Sequence, residues 1–196
     1  IQYLFEWAVE VGWRRFCREN GLPVEPSSRA WLDPFVAGFL DRKVGRPLRE
    51  VFGDRIHLFI SGGAALNTTV ARVFLALGVY IYQGYGMTET SPIIAVNKVG
   101  NNHPNTVGPA LPNLEVRLGE GDELQVRGPS VMQGYWNRPD ATREIFTHDG
   151  WLKTGDVVSI YPDGLIRITG RIKEIIVTST GEKVPPADLE AALESE

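Results

Sequence analysis

Apolar positions in the first 50 residues recur at helical spacing. Leu4, Trp7, Ala8 and Val11, continued by Arg15, predict an amphipathic helix over 3–20, which Asn20-Gly21 and Pro23 then stop. A second helix is predicted over 30–44, with Leu32, Phe35, Val36, Phe39 and Leu40 on one face. Arg42, Lys43 and Arg46 gather near its end, where positive charge suits the negative pole of a helix. The pattern then shortens. Ile56–Ile60 is an apolar run that stops at Ser61-Gly62-Gly63 and predicts a strand. Asn67 is a predicted N-cap for a helix that turns Val70, Val73, Phe74 and Leu77 inward and ends at Gly78. Val79–Tyr82 predicts a second strand. Strand, turn, helix, strand is a βαβ unit, which favours a parallel sheet covered by helices.

From about Asn97 short strands alternate with turns. Leu114–Leu118 and Glu123–Arg127 flank Gly119–Asp122, and Val157–Tyr161 and Leu165–Thr169 flank Pro162-Asp163-Gly164. This spacing predicts a small antiparallel β-barrel or meander, with a helix over Pro139–Phe146. A strand at Ile175–Thr178 and a last helix from about Pro186 follow. The fold class is therefore α/β plus β, in three parts: 1–105 as part of a parallel α/β subdomain, 106–170 as the barrel, and 171–196 as a hinge and the start of a C-terminal α+β domain.

Composition narrows the function classes. The 196 residues hold 43% hydrophobic and 22% charged side chains, which excludes wholesale disorder. A net charge of −4 argues against attraction to nucleic acid. One cysteine, Cys17, cannot close an internal disulfide and fits a reducing, cytoplasmic setting. The uncharged run Val73–Thr88 is too short to span a bilayer. The first residues lack Met and a basic leader, and the last helix has no stop signal, so the chain is expected to be an internal piece of a longer protein.

Four segments could carry chemistry. Ser61-Gly62-Gly63-Ala64-Ala65 follows a strand, where open α/β sheets bind ligands, or it is an ordinary tight turn. Gln83-Gly84-Tyr85-Gly86-Met87-Thr88-Glu89-Thr90 also follows a strand, so both loops would open at one sheet edge. Tyr85 offers a flat face for a base, Thr88 a donor for phosphate oxygen, and Glu89 a hard oxygen ligand for Mg²⁺; the competing reading is a polar turn. Trp151–Asp156, ahead of a barrel strand, could hold vicinal hydroxyls through Asp156, or be a solvated turn. Arg171, in Gly170–Glu174, could clamp phosphate or ribose, or join a surface charge cluster. Three scattered histidines and one cysteine make a zinc site improbable.

Taken together, these runs resemble the adenylate-forming superfamily of acyl-CoA synthetases, luciferases and peptide-synthetase adenylation domains. Tyr85-Gly86-Met87-Thr88-Glu89-Thr90, Gly128–Trp136, Trp151–Asp156 and Gly170–Glu174 occur in one order at fitting distances. Gln83–Pro92 and Gly181–Pro186 are phrased as in the long-chain fatty acid–CoA ligases. The resemblance implies that Gly62, Gly63 and Ala64 line the adenine and acyl-adenylate site, and that Gly84 and Gly86 flank Tyr85, which packs on adenine. Thr88 would touch the α-phosphate and Glu89 would hold Mg²⁺, as the catalytic pair. Asp156 would bind both ribose hydroxyls and Arg171 would reach the ribose. Lys173 falls at the family's interdomain hinge, where many relatives carry Asp. Thr178–Glu182 would face the site in the thioester-forming pose. The implied reaction joins a fatty acid to coenzyme A at the expense of ATP, with Mg²⁺ as cofactor, and leaves room for a homodimer and for peripheral membrane association. The family's phosphate loop and its catalytic Lys match nothing here, so the chain is expected to have little ligase activity alone. The alternatives are a noncatalytic nucleotide-binding or scaffold module of the same fold, and an adenylating enzyme for an aryl, short-chain or amino-acid substrate.

Overall fold

The computed structural model describes residues 2–53, 55–64, 66–173, 176–177 and 183–184. The expectations for Thr178–Glu182 and for a helix from Pro186 lie outside them. The chain forms two compact units, one of residues 1–84 and 97–108 and the other of 85–96 and 109–196.

The first unit is built on helices. α1 (Gln2–Glu19) buries Ala8 and Val11 of the predicted stripe and, beside them, Gly12, Phe16 and Cys17, whereas Arg15 is exposed. The second predicted helix is broken into a 3₁₀ turn (Ala30–Leu32), α2 (Asp33–Leu40), a π turn (Asp41–Gly45) and α3 (Arg46–Phe52). Pro47 explains the last break: it has no N–H to donate one turn back, and its ring crowds that carbonyl. Of the apolar residues predicted on one face, Leu40 is buried, whereas Phe35 is 77% exposed and Phe39 also faces outward. β1 (Phe59–Ser61), α4 (Thr68–Ala76) and β2 (Ile81–Gly86) make the βαβ unit, with β1 parallel to β2 from Phe59↔Ile81 to Ser61↔Gln83. Asn67 caps α4 as predicted, its side chain accepting from Thr69 N and Val70 N. Val70 does not turn inward: the cap places it in the first turn, 44% exposed.

Ala8, Val11, Leu40 and Leu77 form one core cluster; Phe16, Ala71 and Leu75 form a second, with Trp13 stacked on Phe16. α1 approaches α4 so closely that a Cβ on Gly12 would sit 1.9 Å from the Ala76 carbonyl oxygen. Residues 97–108 are tied in by polar side chains. Asn102 N donates to buried Asn20 Oδ1, and Asn102 Nδ2 donates to the Ile81 carbonyl.

An ion pair that no spacing announces joins α1 to α2. Arg14 Nε and Nη2 donate to Asp33 Oδ2 and Oδ1 at 2.8 and 2.7 Å, and Arg18 Nη2 adds a third bond at 3.1 Å. Arg14 is 6% and Asp33 4% exposed, so each charge depends on the other for the solvation it has lost. The Arg14 hydrogen bonds hold the Asp33 carboxyl below its ordinary value.

The second unit is β-rich. β3 (Ile93–Val96), which the sequence pattern does not announce, completes a mixed sheet of order β1-β2-β3. β4 (Glu115–Leu118), β5 (Glu123–Arg127), β6 (Leu152–Ile160) and β7 (Ile166–Arg171) form an antiparallel sheet in that order, with α5 (Pro139–Ile145) inserted. Among the described residues this sheet is open, which corrects the expected barrel: four strands give too few pairings to close on themselves. Leu124, Val126, Leu152, Val158, Leu165 and Ile166 make its core. Trp151 is buried under two guanidinium groups, Arg117 at 4.4 Å and Arg127 at 4.5 Å from its ring centre. β8 (Ile176–Val177) and β9 (Lys183–Val184) are a short antiparallel pair.

Two stability outcomes follow from the first unit. Gly→Ala in a helix ordinarily stabilises, but Gly12→Ala will destabilise by about 1–3 kcal/mol in urea unfolding, because the methyl group overlaps the α4 backbone. Asp33→Asn will cost about 3 kcal/mol at neutral pH by leaving the buried Arg14 charge uncompensated. Asp33 titrates lower folded than unfolded. Its contribution is therefore complete above the ordinary value of 3.8 and is lost as pH falls through the depressed one. Urea midpoints of the two proteins should stay apart at neutral pH, begin to approach each other only below 3.8, and meet only below the depressed value.

Candidate active site

In the first unit the end of β1 runs into Gly62, Gly63 and Ala64, all exposed. Gly63 has a φ of +85°, a conformation that favours glycine. A Cβ on Gly62 would stand 3.2 Å from the Gly84 carbonyl, so this turn leaves the sheet beside Gly84. Gln83 secures the neighbourhood: its Nε2 donates to the Pro104 carbonyl, and its Oε1 accepts from Leu66 N at 3.4 Å. Gln83–Gly86 is not a loop after the strand but the second half of β2. Likewise Trp151–Asp156 does not precede a strand, because β6 begins at Leu152.

In the second unit β2 ends in a turn that the sequence builds locally. The main chain at Gly86 passes so close to Pro92 that a Cβ would lie 1.9 Å from the Pro92 carbonyl oxygen. Met87 N donates to that carbonyl at 2.9 Å. Thr90, fully buried, bridges the turn through its hydroxyl to the Met87 and Pro92 carbonyls. Thr88–Thr90 is a single 3₁₀ turn, which leaves Thr88 exposed and Glu89 half-buried. Glu89 is held twice by one loop. Met132 N donates to its carbonyl at 2.8 Å, and the Tyr135 phenol donates to Oε1 at 2.7 Å. Among the described residues Oε2 receives no hydrogen bond.

The other carboxylate lies in β6. Asp156 is buried, 4% exposed, and faces Arg171 across the β6–β7 ladder. The Tyr85 phenol donates to Oδ2 at 2.5 Å and Arg171 Nε donates to Oδ1 at 2.8 Å. Gly155, with φ +74°, makes this placement. Its N–H leaves the ladder to donate to Glu123 Oε1, and its carbonyl accepts from Ile172 N. The Thr154 hydroxyl donates to the Leu124 carbonyl and accepts from Asp156 N. Burial, then the bond to Asp156, pushes the Tyr85 phenol far above its ordinary range. At neutral pH it is therefore a fixed donor. A carboxylate has about four lone-pair positions, so Asp156 keeps acceptor capacity on each oxygen for further hydroxyl donors.

Of the residues singled out, Tyr85, Asp156 and Arg171 thus meet in one hydrogen-bonded group. Gly86, Thr88 and Glu89 belong to the same unit, whereas Gly62, Gly63, Ala64 and Gly84 belong to the other. Lys173 is exposed, two residues beyond Arg171. Glu123, Thr154, Thr90 and Tyr135 were not singled out. Thr90, Thr154 and Tyr135 lie within the motif segments, Glu123 does not, and no spacing links Tyr135 to Glu89 or Glu123 to Gly155. Among the described residues no cluster of His, Cys, Asp or Glu could hold a metal by itself. One carboxylate suits Mg²⁺ when substrate phosphates supply the remaining ligands, and Glu89 with an open Oε2 fits that donor set.

The chain is similar to known proteins in sequence and in fold. The profile of the AMP-binding enzyme family matches residues 29–136. A long-chain-fatty-acid–CoA ligase, FadD15, of Mycobacterium bovis is 44% identical over 153 residues, 78% of this chain and 25% of the relative. The long-chain-fatty-acid–CoA ligase of Salmonella typhimurium is 41% identical over 147 residues, 69% of this chain and 26% of the relative. The chain thus spans about a quarter of the length of these relatives. Among solved structures, ATP-bound MatB from Rhodopseudomonas palustris superposes with a TM-score of 0.64 at 34% identity, covering 71% of this chain and 30% of that one. A malonyl-CoA ligase in complex with methylmalonyl-CoA and AMP gives 0.53 at 34% identity, over 78% and 37%. With the family profile over more than half of its length, the chain belongs to the AMP-binding enzyme family.

Proposed function

We propose that this chain is the part of an ATP-dependent acyl-CoA synthetase that grips the nucleotide during acyl-adenylate formation, with a long-chain fatty acid as the acid substrate. The observation that carries the reading is the convergence of Tyr85, Asp156 and Arg171 from three distant stretches of sequence. A buried carboxylate with fixed donors and spare lone pairs suits the paired hydroxyls of a ribose. Arg171 beside it adds positive charge near the polyphosphate, and Gly62, Gly63 and Ala64 offer main chain that a base can approach closely. The acid substrate rests on the two relatives named for long-chain fatty acids. Lys173 serves as the hinge position.

The reaction has two displacements. The acid carboxylate attacks the α-phosphorus of ATP, the bond to the bridging oxygen breaks, and pyrophosphate leaves. The coenzyme A thiolate then attacks the acyl carbon and AMP leaves with the bonding pair. Both steps bring negative charge together, so fixed donors matter most. Thr88 would donate to an α-phosphate oxygen, and Tyr85, kept protonated, holds Asp156 in register for the ribose. Glu89 would hold Mg²⁺, which when bound offsets phosphate charge. Among the described residues no helix is long and apolar enough to cross a membrane. Reversible association with a lipid surface and a homodimer both remain compatible with the reading.

Calorimetric titration of the chain with a nonhydrolysable acyl-sulfamoyl adenosine tests it. Asp156→Ala should weaken binding by about 1.5–3 kcal/mol, roughly ten- to a hundredfold. Equal affinity of the variant and the wild type would remove Asp156 from the site and the reading with it.

A further inference from the structure

The Glu89 carboxylate is held in place by a residue with no assigned part in the chemistry. One loop fixes Glu89 at both ends: Met132 N bonds its carbonyl oxygen, and the Tyr135 phenol bonds Oε1. The loop is itself anchored. Tyr135 N donates to Thr142 Oγ1 at 2.9 Å, and that hydroxyl donates to the Arg138 carbonyl at 2.9 Å, so both its proton and a lone pair are used. The preceding Gly134 has φ +153°, and a Cβ there would lie 2.7 Å from Thr142 Cγ2; only glycine lets the loop lie this close to α5. Every link from α5 to the carboxylate is thus a hydrogen bond or a close packing contact.

A glutamate side chain has three rotors and gives up rotamer freedom when fixed. Fixing it before a ligand arrives removes that cost from binding. The phenol occupies Oε1 and leaves Oε2 open.

We propose that Tyr135 is a positioning residue: its phenol, anchored through Thr142, holds the Glu89 carboxylate in one rotamer, with Oε2 presented to a divalent cation that arrives with the nucleotide phosphates. This rests on the reading of Glu89 as the cation-holding residue. Thr142 is the second member of the device, because it fixes the Tyr135 backbone without touching Glu89.

The test uses the whole 196-residue chain labelled with ¹³C at the glutamate carboxyls, the Glu89 signal being assigned with Glu89→Gln. MnCl₂ is titrated in the presence of ATP, and paramagnetic broadening is followed by NMR. In the wild type the Glu89 signal should broaden before those of the other glutamates. Tyr135→Phe keeps the ring and removes the donor. It should need about three- to tenfold more Mn²⁺ for the same broadening, and the couplings of the Glu89 carboxyl carbon to its β-protons, which report one rotamer in the wild type, should average. Thr142→Ala should shift both in the same direction by less, and amide spectra verify that each variant is folded. Broadening and couplings unchanged in Tyr135→Phe, with wild-type broadening intact, would overturn the proposal alone. A wild-type Glu89 signal that broadens no earlier than the other glutamates would withdraw the cation reading, and the proposal with it.

Discussion

A carboxylate buried in the middle of a strand needs a donor for each oxygen, and the second unit is arranged around meeting that need at Asp156. An unpaired ionised group there would cost several kcal/mol. Tyr85 and Arg171 supply the donors, one from the end of β2 and one from β7. The strand itself has to give way to put Asp156 there. Gly155 leaves the ladder, and Glu123, Thr154 and Ile172 satisfy the main-chain groups this releases. The register shift in β5–β6 falls at Glu123/Gln125, so the bulge and its repair are the same feature.

Carboxylates are held in two ways. In the first, Asp33 and Asp41 are each gripped bidentately by an arginine, Arg14 and Arg49, and Arg49 also bonds the Leu77 carbonyl. A guanidinium fork takes both oxygens at once, which suits a staple between helices and leaves little for a ligand. In the second, Asp156 and Glu89 each receive a phenol on one oxygen. A phenol gives one directional bond and no charge. It fixes the rotamer while leaving the carboxylate its negative charge and free lone pairs, which a hydroxyl or a cation requires. A carboxylate taken by a guanidinium fork serves as a staple, whereas one that takes a phenol on one oxygen, with at most a single arginine bond on the other as at Asp156, keeps lone pairs for a ligand.

Local signals carried much of the layout. The apolar stripe of α1, the Asn67 cap, the βαβ order, the turn-separated strands of the second unit and the helix at Pro139 all follow from neighbours a few residues apart. Where the pattern misled, a longer-range contact had taken over. Phe35 and Phe39 lie at the spacing of a buried face, yet the inward side of α2 is taken by Asp33 and Leu40, set by Arg14 on another helix. Gln83–Gly86 and Leu152–Asp156 have the glycines of loops, but pairing with neighbouring strands extends β2 and β6 through them.

From its sequence alone, this protein declared its helical periods, its turns and the order of its motifs, because those depend on backbone preferences and on side chains close along the chain. The identity of the acidic, aromatic and basic residues that could serve a nucleotide was also present there. Which of them touch was not: Tyr85 is 71 residues from Asp156 and Tyr135 is 46 from Glu89. Partners so far apart are chosen by how strands pair and how loops fold back, and only then does burial force each carboxylate to take the donor the fold has brought within reach.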